Sequence, residues 1–250
     1  HLLDSSQYTN YYPGIAYTFF GGGCSVQGPL VMASGTDIAS GIDTGYISDG
    51  CSFTSDGAPW FAPSTPFEAN LTLTSATPTE VSPTPTEDTT EPGPMVATLT
   101  IPSLGRSWQG AATYTGEYTT LFVGINGIGD WPHCSGSIDR IVVRSLSGGP
   151  EVTEDFNDPS IFSQVGTTVY IAEGRAVFDH LYNNGGLQFV YRSIPVFSGP
   201  VEINVIGQID WWENNCGVYA GVADDHLLDS SQYTNYYPGI AYTFFGGGCS

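Results

Sequence analysis

Residues 1–25, HLLDSSQYTNYYPGIAYTFFGGGCS, recur letter for letter at residues 226–250. Unrelated segments do not agree at every one of 25 positions, so the chain reads as one period of 225 residues followed by the start of the next. Internal repetition constrains architecture before any local pattern does. The period is far longer than the ~20–50 residues of a solenoid repeat, and it is long enough to bury a core of its own. The expectation is an array of whole domains. His1 and His226 mark the same position inside the repeat, so the chain is expected to be a slice of a longer polypeptide.

Charge narrows the partners. Asp and Glu number 25 against five arginines and no lysine, a net charge of −20. Nucleic-acid binding rests on neutralising phosphates with basic side chains, so this balance argues strongly against it, and against docking on anionic lipid. Mutual repulsion would keep an array of such units soluble and extended. No apolar run approaches the roughly 20 residues that a membrane helix needs.

The chain has five cysteines, Cys24, Cys51, Cys134, Cys216 and Cys249, of which Cys249 is the repeat copy of Cys24. Each period therefore holds four, an even number that fits two disulfides in an oxidising, extracellular compartment. No Cys-x-x-Cys or Cys/His spacing suggests zinc. Four cysteines allow three pairings and the sequence does not choose among them. Cys24–Cys51 with Cys134–Cys216 is the working expectation.

Helical periodicity is nearly absent, while glycine and β-branched or aromatic residues dominate, as strands and turns require. Strands are expected at Gly14–Phe20, Thr44–Ile47, Phe67–Thr74, Met95–Ile101, Thr119–Ile125, Ile138–Arg144, Thr168–Ala172, Arg175–Phe178, Leu187–Arg192, Val201–Ile209 and Gly217–Ala223. Two of them, around Phe67–Leu73 and Val201–Ile206, alternate apolar and polar residues as half-buried antiparallel strands do. About a dozen short strands make an all-β antiparallel sandwich of the jelly-roll kind. Residues 75–94, with five prolines among many threonines and glutamates, stand apart. They have no apolar face to bury, and the strands on either side favour a long inserted loop over an interdomain linker.

The strand order resembles the concanavalin A-like lectin/glucanase sandwich in its broad, laminin-G-like form. The residues carrying the resemblance are Glu154-Asp-Phe-Asn-Asp158 as opener, Gly199–Val205 and Gly217–Val222 as core strands, and Tyr118–Ile125 followed by Gly136–Val143 as the closing pattern. The resemblance implies that a natural domain starts near residue 150. Residues 149–225 would then be its opening part, 226–250 its continuation into the next copy, and 1–148, with the Pro/Thr-rich loop 75–94, the later part of the sandwich. The two parts either close on each other within one chain or lie in consecutive domains of one polypeptide. The second arrangement is the expectation.

Chemistry is sparse. Gln208-Ile-Asp-Trp-Trp-Glu213 resembles the paired-carboxylate motif of glucanases of this fold, but Gln208 stands where the nucleophile would be, and an amide neither attacks nor ionises. A retaining glycosidase needs two carboxyls about 5–5.5 Å apart, so no enzymatic activity is expected. Trp211, Trp212, Trp131 and Tyr219, with Trp60 and His133, are candidates for stacking on sugars; the bland reading places them in the core or between neighbouring domains. Adjacent strand residues point to opposite faces, so only one of Trp211 and Trp212 can face the core. Glu154, Asp155 and Asp139, with Asp158, are candidate oxygen ligands for a structural Ca²⁺, as the resemblance also implies; the bland reading is solvated carboxylates on a very acidic chain. Asp4, Asp224 and Asp225 form a weaker group. Asn70-Leu-Thr72 is a candidate N-glycosylation sequon.

These features together read as a secreted, disulfide-stabilised repeat unit of an extracellular filament or cell-surface adhesin. Its partners are neighbouring copies of itself, joined by head-to-tail contacts that do not close. The rival is a lectin-like, glycan-binding array that works by avidity. If the array is one continuous chain, denaturing, reducing gels of the natural material will show species far above 26.6 kDa. A single band at that mass would mean discrete subunits with duplicated ends.

Overall fold

The structure is a computed structural model and describes residues 25–32, 41–43, 46–48, 64–75, 95–112, 117–127, 133–179, 188–213, 216–223 and 239–245. These residues form strands and turns with two short 3₁₀ segments, Pro102–Leu104 and Pro159–Ile161, and no α-helix. The strands are β1 (Ser25–Met32), β2 (Gly41–Asp43), β3 (Tyr46–Ser48), β4 (Thr65–Ser75), β5 (Met95–Ile101), β6 (Arg106–Ala112), β7 (Tyr118–Gly127) and β8 (His133–Ser145). They continue as β9 (Glu151–Glu154), β10 (Ser163–Val165), β11 (Val169–Ala172), β12 (Arg175–Asp179), β13 (Gln188–Phe197), β14 (Val201–Glu213), β15 (Cys216–Ala223) and β16 (Gly239–Phe245).

Two antiparallel sheets face each other as a β-sandwich. The first runs β10-β13-β7-β15-β16-β1-β2, with β3 also pairing with β1. The second runs β11-β12-β8-β14-β4-β5-β6, with β9 alongside β8. Alternation sends one set of side chains from each sheet inward. The second sheet contributes Phe67, Ala69, Leu71 and Leu73 from β4 and Val201, Ile203, Val205 and Ile209 from β14. Facing them are Leu121, Val123 and Ile125 of β7 and Val218, Ala220 and Val222 of β15.

The longest ladder joins β14 to β8 and contains two register shifts, between Ile206 and Gly207 and between Ile209 and Trp211. The first leaves Asp139 without an opposite residue, since Ile206 faces Arg140 and Gly207 faces Ile138. That bulge resets the alternation. It lets Ile138 and Ile141, three residues apart, both reach the core at 1% and 0% exposure.

Glycines make this crossing possible. A Cβ on Gly207 would lie 2.6 Å from the Ser137 carbonyl oxygen, and one on Gly136 would lie 2.2 Å from that of Gln208. Elsewhere the turns follow their sequences. Glu173 and Gly174, at φ +53° and +69°, join β11 to β12 with two left-handed residues, the turn whose twist suits a tight hairpin.

Between β8 and β9, where the expected boundary at residues 148 and 149 falls, the chain turns in a hairpin. Arg144 faces Glu151, and the Ser145 amide donates to the Pro150 carbonyl at 3.0 Å. β4 and β5 are neighbours with Ser75 opposite Met95, so the Pro/Thr-rich segment joins adjacent strands of one sheet. Strands β1, β2, β6, β9 and β10 were not anticipated. β1 holds a Gly-Pro pair and β6 opens Arg-Ser-Trp-Gln-Gly, sequences with no clean alternation, and the others are four residues or fewer.

Gly207→Ala will lower the unfolding free energy by about 1–3 kcal/mol, the usual cost of overpacking a filled site. Gly105→Ala, at φ +60° with nothing within 4 Å of its added Cβ, pays only the left-handed penalty of about 1–2 kcal/mol. Urea unfolding of both variants separates crowding from backbone strain. A loss at Gly207 below about 1 kcal/mol would remove close approach as the reason for that glycine.

Candidate functional site

Two features stand out: the position of the repeated segment and the way scarce cations are spent. The repeated segment contributes β16, Gly239–Phe245, the copy of Gly14–Phe20. β16 lies inside the first sheet, paired with β15 from Gly217 opposite Thr243 to Gly221 opposite Gly239. Its other edge pairs with β1 from Val26 opposite Phe245 to Met32 opposite Gly239. Both of its hydrogen-bonding edges are therefore occupied. Among the described strands β1, and through it β2 and β3, join the sheet only by way of this strand.

Arg144, Arg140, Arg175 and Arg192 are all in ion pairs. Arg144 sits between Glu151 (2.7 Å) and Glu202 (3.1 Å), directly opposite both across the β9-β8-β14 ladder. Opposite charges at such positions support cross-strand pairing. The hydrogen bond and charge of Arg144 hold the Glu151 carboxyl below its ordinary pKa. Arg140 meets Asp155 at 2.5 Å, and Arg175 approaches Asp139 at 3.6 Å.

The fourth pair is buried and spans the two sheets. Arg192 on β13 donates from Nε to Oε2 of Glu154 at 2.5 Å, with side chains only 17% and 7% exposed. The other oxygen of Glu154 accepts from the Phe156 backbone amide at 2.6 Å. Phe156 is 1% exposed at φ +55°, a conformation uncommon for a bulky side chain. Its ring packs on Phe162 at 5.6 Å. One carboxylate thus ties the sheets together and fixes a strained bend.

The sequence-derived candidates fall as follows. Of the opening motif Glu154–Asp158 only Glu154 is in a strand, as the last residue of β9, and Asp155–Asp158 are irregular. Glu154 is occupied with Arg192 and Phe156, as just described, and Asp158 caps the following 3₁₀ turn. The Ser160 hydroxyl and amide hold the Asp158 carboxyl below its ordinary pKa. Glu154, Asp155 and Asp139, grouped from sequence for calcium, each face a different arginine. Among the described residues no three His, Cys, Asp or Glu side chains are placed to hold a metal ion.

Asn70 lies mid-strand on β4, where its carbonyl oxygen accepts from the Asn204 amide at 2.6 Å. Gln208 and Asp210, the first two polar positions of the glucanase-like motif, are hydrogen-bonded to each other on the outward face of β14.

Trp211 and Trp212 continue β14, opposite Ser135 and Cys134. Cys134 belongs to the second sheet and Cys216 to the first. Trp131, Trp60, Cys24, Cys51 and Cys249 lie outside the described residues, as do Asp4, Asp224 and Asp225.

Tyr219, a candidate for stacking on sugars, is 2% exposed. Its hydroxyl has no hydrogen-bond partner among the described residues, and burial pushes its pKa up. The reason lies in the outer face of the first sheet, which is also apolar. Phe122 and Phe189 are 4% and 3% exposed and meet edge to face at 6.5 Å. They and Tyr219 stand apart from the core cluster between the sheets.

Sequence reasoning missed the Arg192–Glu154 pair. The signal available was scarcity: with five cations among 25 acids, each arginine marks a place where negative charge must be matched. No family model and no curated protein matches this chain. No helix among the described residues is long and apolar enough to cross a membrane.

Removing one partner of a buried pair strands the other charge. Arg192→Met will cost about 3–5 kcal/mol of stability. Arg192→Met combined with Glu154→Gln will regain part of it, because glutamine keeps an acceptor for Phe156 and sheds the charge. Urea unfolding of the two variants measures this, and a double variant no more stable than the single would show that charge is not the issue.

Proposed function

We propose that this chain is a structural repeat unit of a secreted extracellular filament or cell-surface adhesin. It would be built as a jelly-roll sandwich of the concanavalin A-like kind and assembled head to tail with a period of 225 residues. The observation that carries this reading is the identity of residues 1–25 with 226–250, together with the place of the repeated strand. A repeat whose copy forms an internal strand is bound into the sheet and is no loose tail.

Other features agree with it. A charge of −20 favours an extended, soluble array whose units touch only through specific contacts. Paired carboxylates on the outer face of the second sheet suit a load-bearing surface more than a reactive one. Four cysteines per period suit the oxidising conditions outside a cell. The reading assigns no catalytic role, and its partners are other copies of the chain.

Negative-stain electron microscopy and sedimentation of the purified full chain, with and without Ca²⁺, test the reading. Regular filaments or an open series of oligomers are expected. A monodisperse monomer in every condition would overturn it. Glycan-array binding lost in Trp211→Ala or Trp212→Ala would replace it with the lectin-like reading.

A further inference from the structure

The register of β16 against β1 carries more than its presence there. Val26 faces Phe245 and Met32 faces Gly239. Phe245 is followed by Gly246-Gly-Gly-Cys-Ser250, and position 250 is the repeat copy of Ser25, the residue before Val26. If Ser250 were followed by a further copy of Val26–Met32, that copy would pair with β16 in the same register, across a five-residue, glycine-rich loop. Loops of that length are common in hairpins, and glycine is the residue most at home in them. The ladder therefore has the register of a hairpin between the end of one copy and the start of the next.

Resting on the reading of the chain as a filament unit, we propose that the β16–β1 ladder is the joint between successive copies. β16 of one copy pairs with β1 of another, and the first sheet runs on from unit to unit. The partner is a second copy of this chain. In an array the duplicated ends become one object, because the segment that closes one copy is the segment that opens the next.

Several observations converge on this joint. The place beside β1 suits either copy of the segment, since Gly14–Phe20 and Gly239–Phe245 are the same seven residues. In an array each junction between copies holds one such segment, and pairing it with β1 covers donors and acceptors that a strand edge would otherwise expose. The break also falls at a single ladder: among the described strands β1, β2 and β3 reach the first sheet only through β16, so replacing that pairing by one from a neighbour breaks no other described ladder of that sheet.

The test places one cysteine on each side of the ladder in the full chain, at facing positions Leu30 and Ala241. Directly opposed residues on antiparallel strands have Cα atoms about 4.5–5.5 Å apart, within disulfide reach. Leu30→Cys chains mixed with Ala241→Cys chains and oxidised should yield a covalent dimer that neither variant forms alone. The double variant Leu30→Cys/Ala241→Cys should yield a ladder of dimers, trimers and longer species on non-reducing gels. The proposal is overturned if the double variant runs only as an internally cross-linked monomer and the mixed single variants do not join. Electron microscopy of the same samples separates the two ideas. Filaments with cross-links confined to single chains would sink the shared strand and leave the filament reading standing, while an absence of any assembly would sink both.

Discussion

A strand in the middle of a sheet must satisfy donors and acceptors on both edges, and β16 is where this chain meets that requirement with a duplicated segment. β15 lies on one side and β1 on the other. Leaving either edge bare inside a packed sheet would cost the desolvation of a whole row of backbone groups. Three further strands depend on the outcome, because among the described strands β1 is linked to the rest of that sheet through β16, and β2 and β3 are linked through β1. Hydrogen-bond satisfaction at one strand thus governs whether the sandwich has eight strands on this side or breaks off at β15.

The second sheet supplies the rigid counterpart. β14 is hydrogen-bonded along both edges, to β8 and β4, and sends Val201, Ile203, Val205 and Ile209 into the core. Its bulges are held by Gly136 and Gly207, which let two backbones approach where any side chain would collide. Without the bulge at Asp139 the alternation along β8 would turn either Ile138 or Ile141 outward. The sheets are then pinned to each other at the edge by Arg192 and Glu154. This is the one described place where a buried charge crosses between them. Within the second sheet, Arg144 with Glu151 and Glu202, and Arg175 with Asp139, place opposite charges on neighbouring strands and so support their register.

Much of this was legible in the chain itself. β5 falls at Met95–Ile101 in both sequence and structure, and β16 repeats the strand read at Gly14–Phe20. Clean alternation in β4 and β14 marked both position and inward face. The short strands β2, β9 and β10 escaped, since three or four residues carry no period to detect. The motif at Glu154–Asp158 misled because its residues suit a strand end and a bend equally. Only the carboxylate of Glu154, reaching forward to the Phe156 amide, decides for the bend. The acidic group around Asp139 and Asp155 looked like a cation site because its arginine partners are 15 and 36 residues away in the sequence.

Composition and order are enough to establish that the chain is all-β, that its net charge is −20, and that one 25-residue segment occurs twice. Those are properties of composition and order, and they need no knowledge of which residues meet. Tertiary structure alone decided which strands are neighbours, which carboxylate each arginine takes, and that the repeated strand lies between β15 and β1. Pairing of that kind joins residues more than two hundred positions apart, as Val26 and Phe245 are. It is selected by shared burial and by backbone hydrogen bonds that must be met, and neither leaves a mark on any single stretch of sequence.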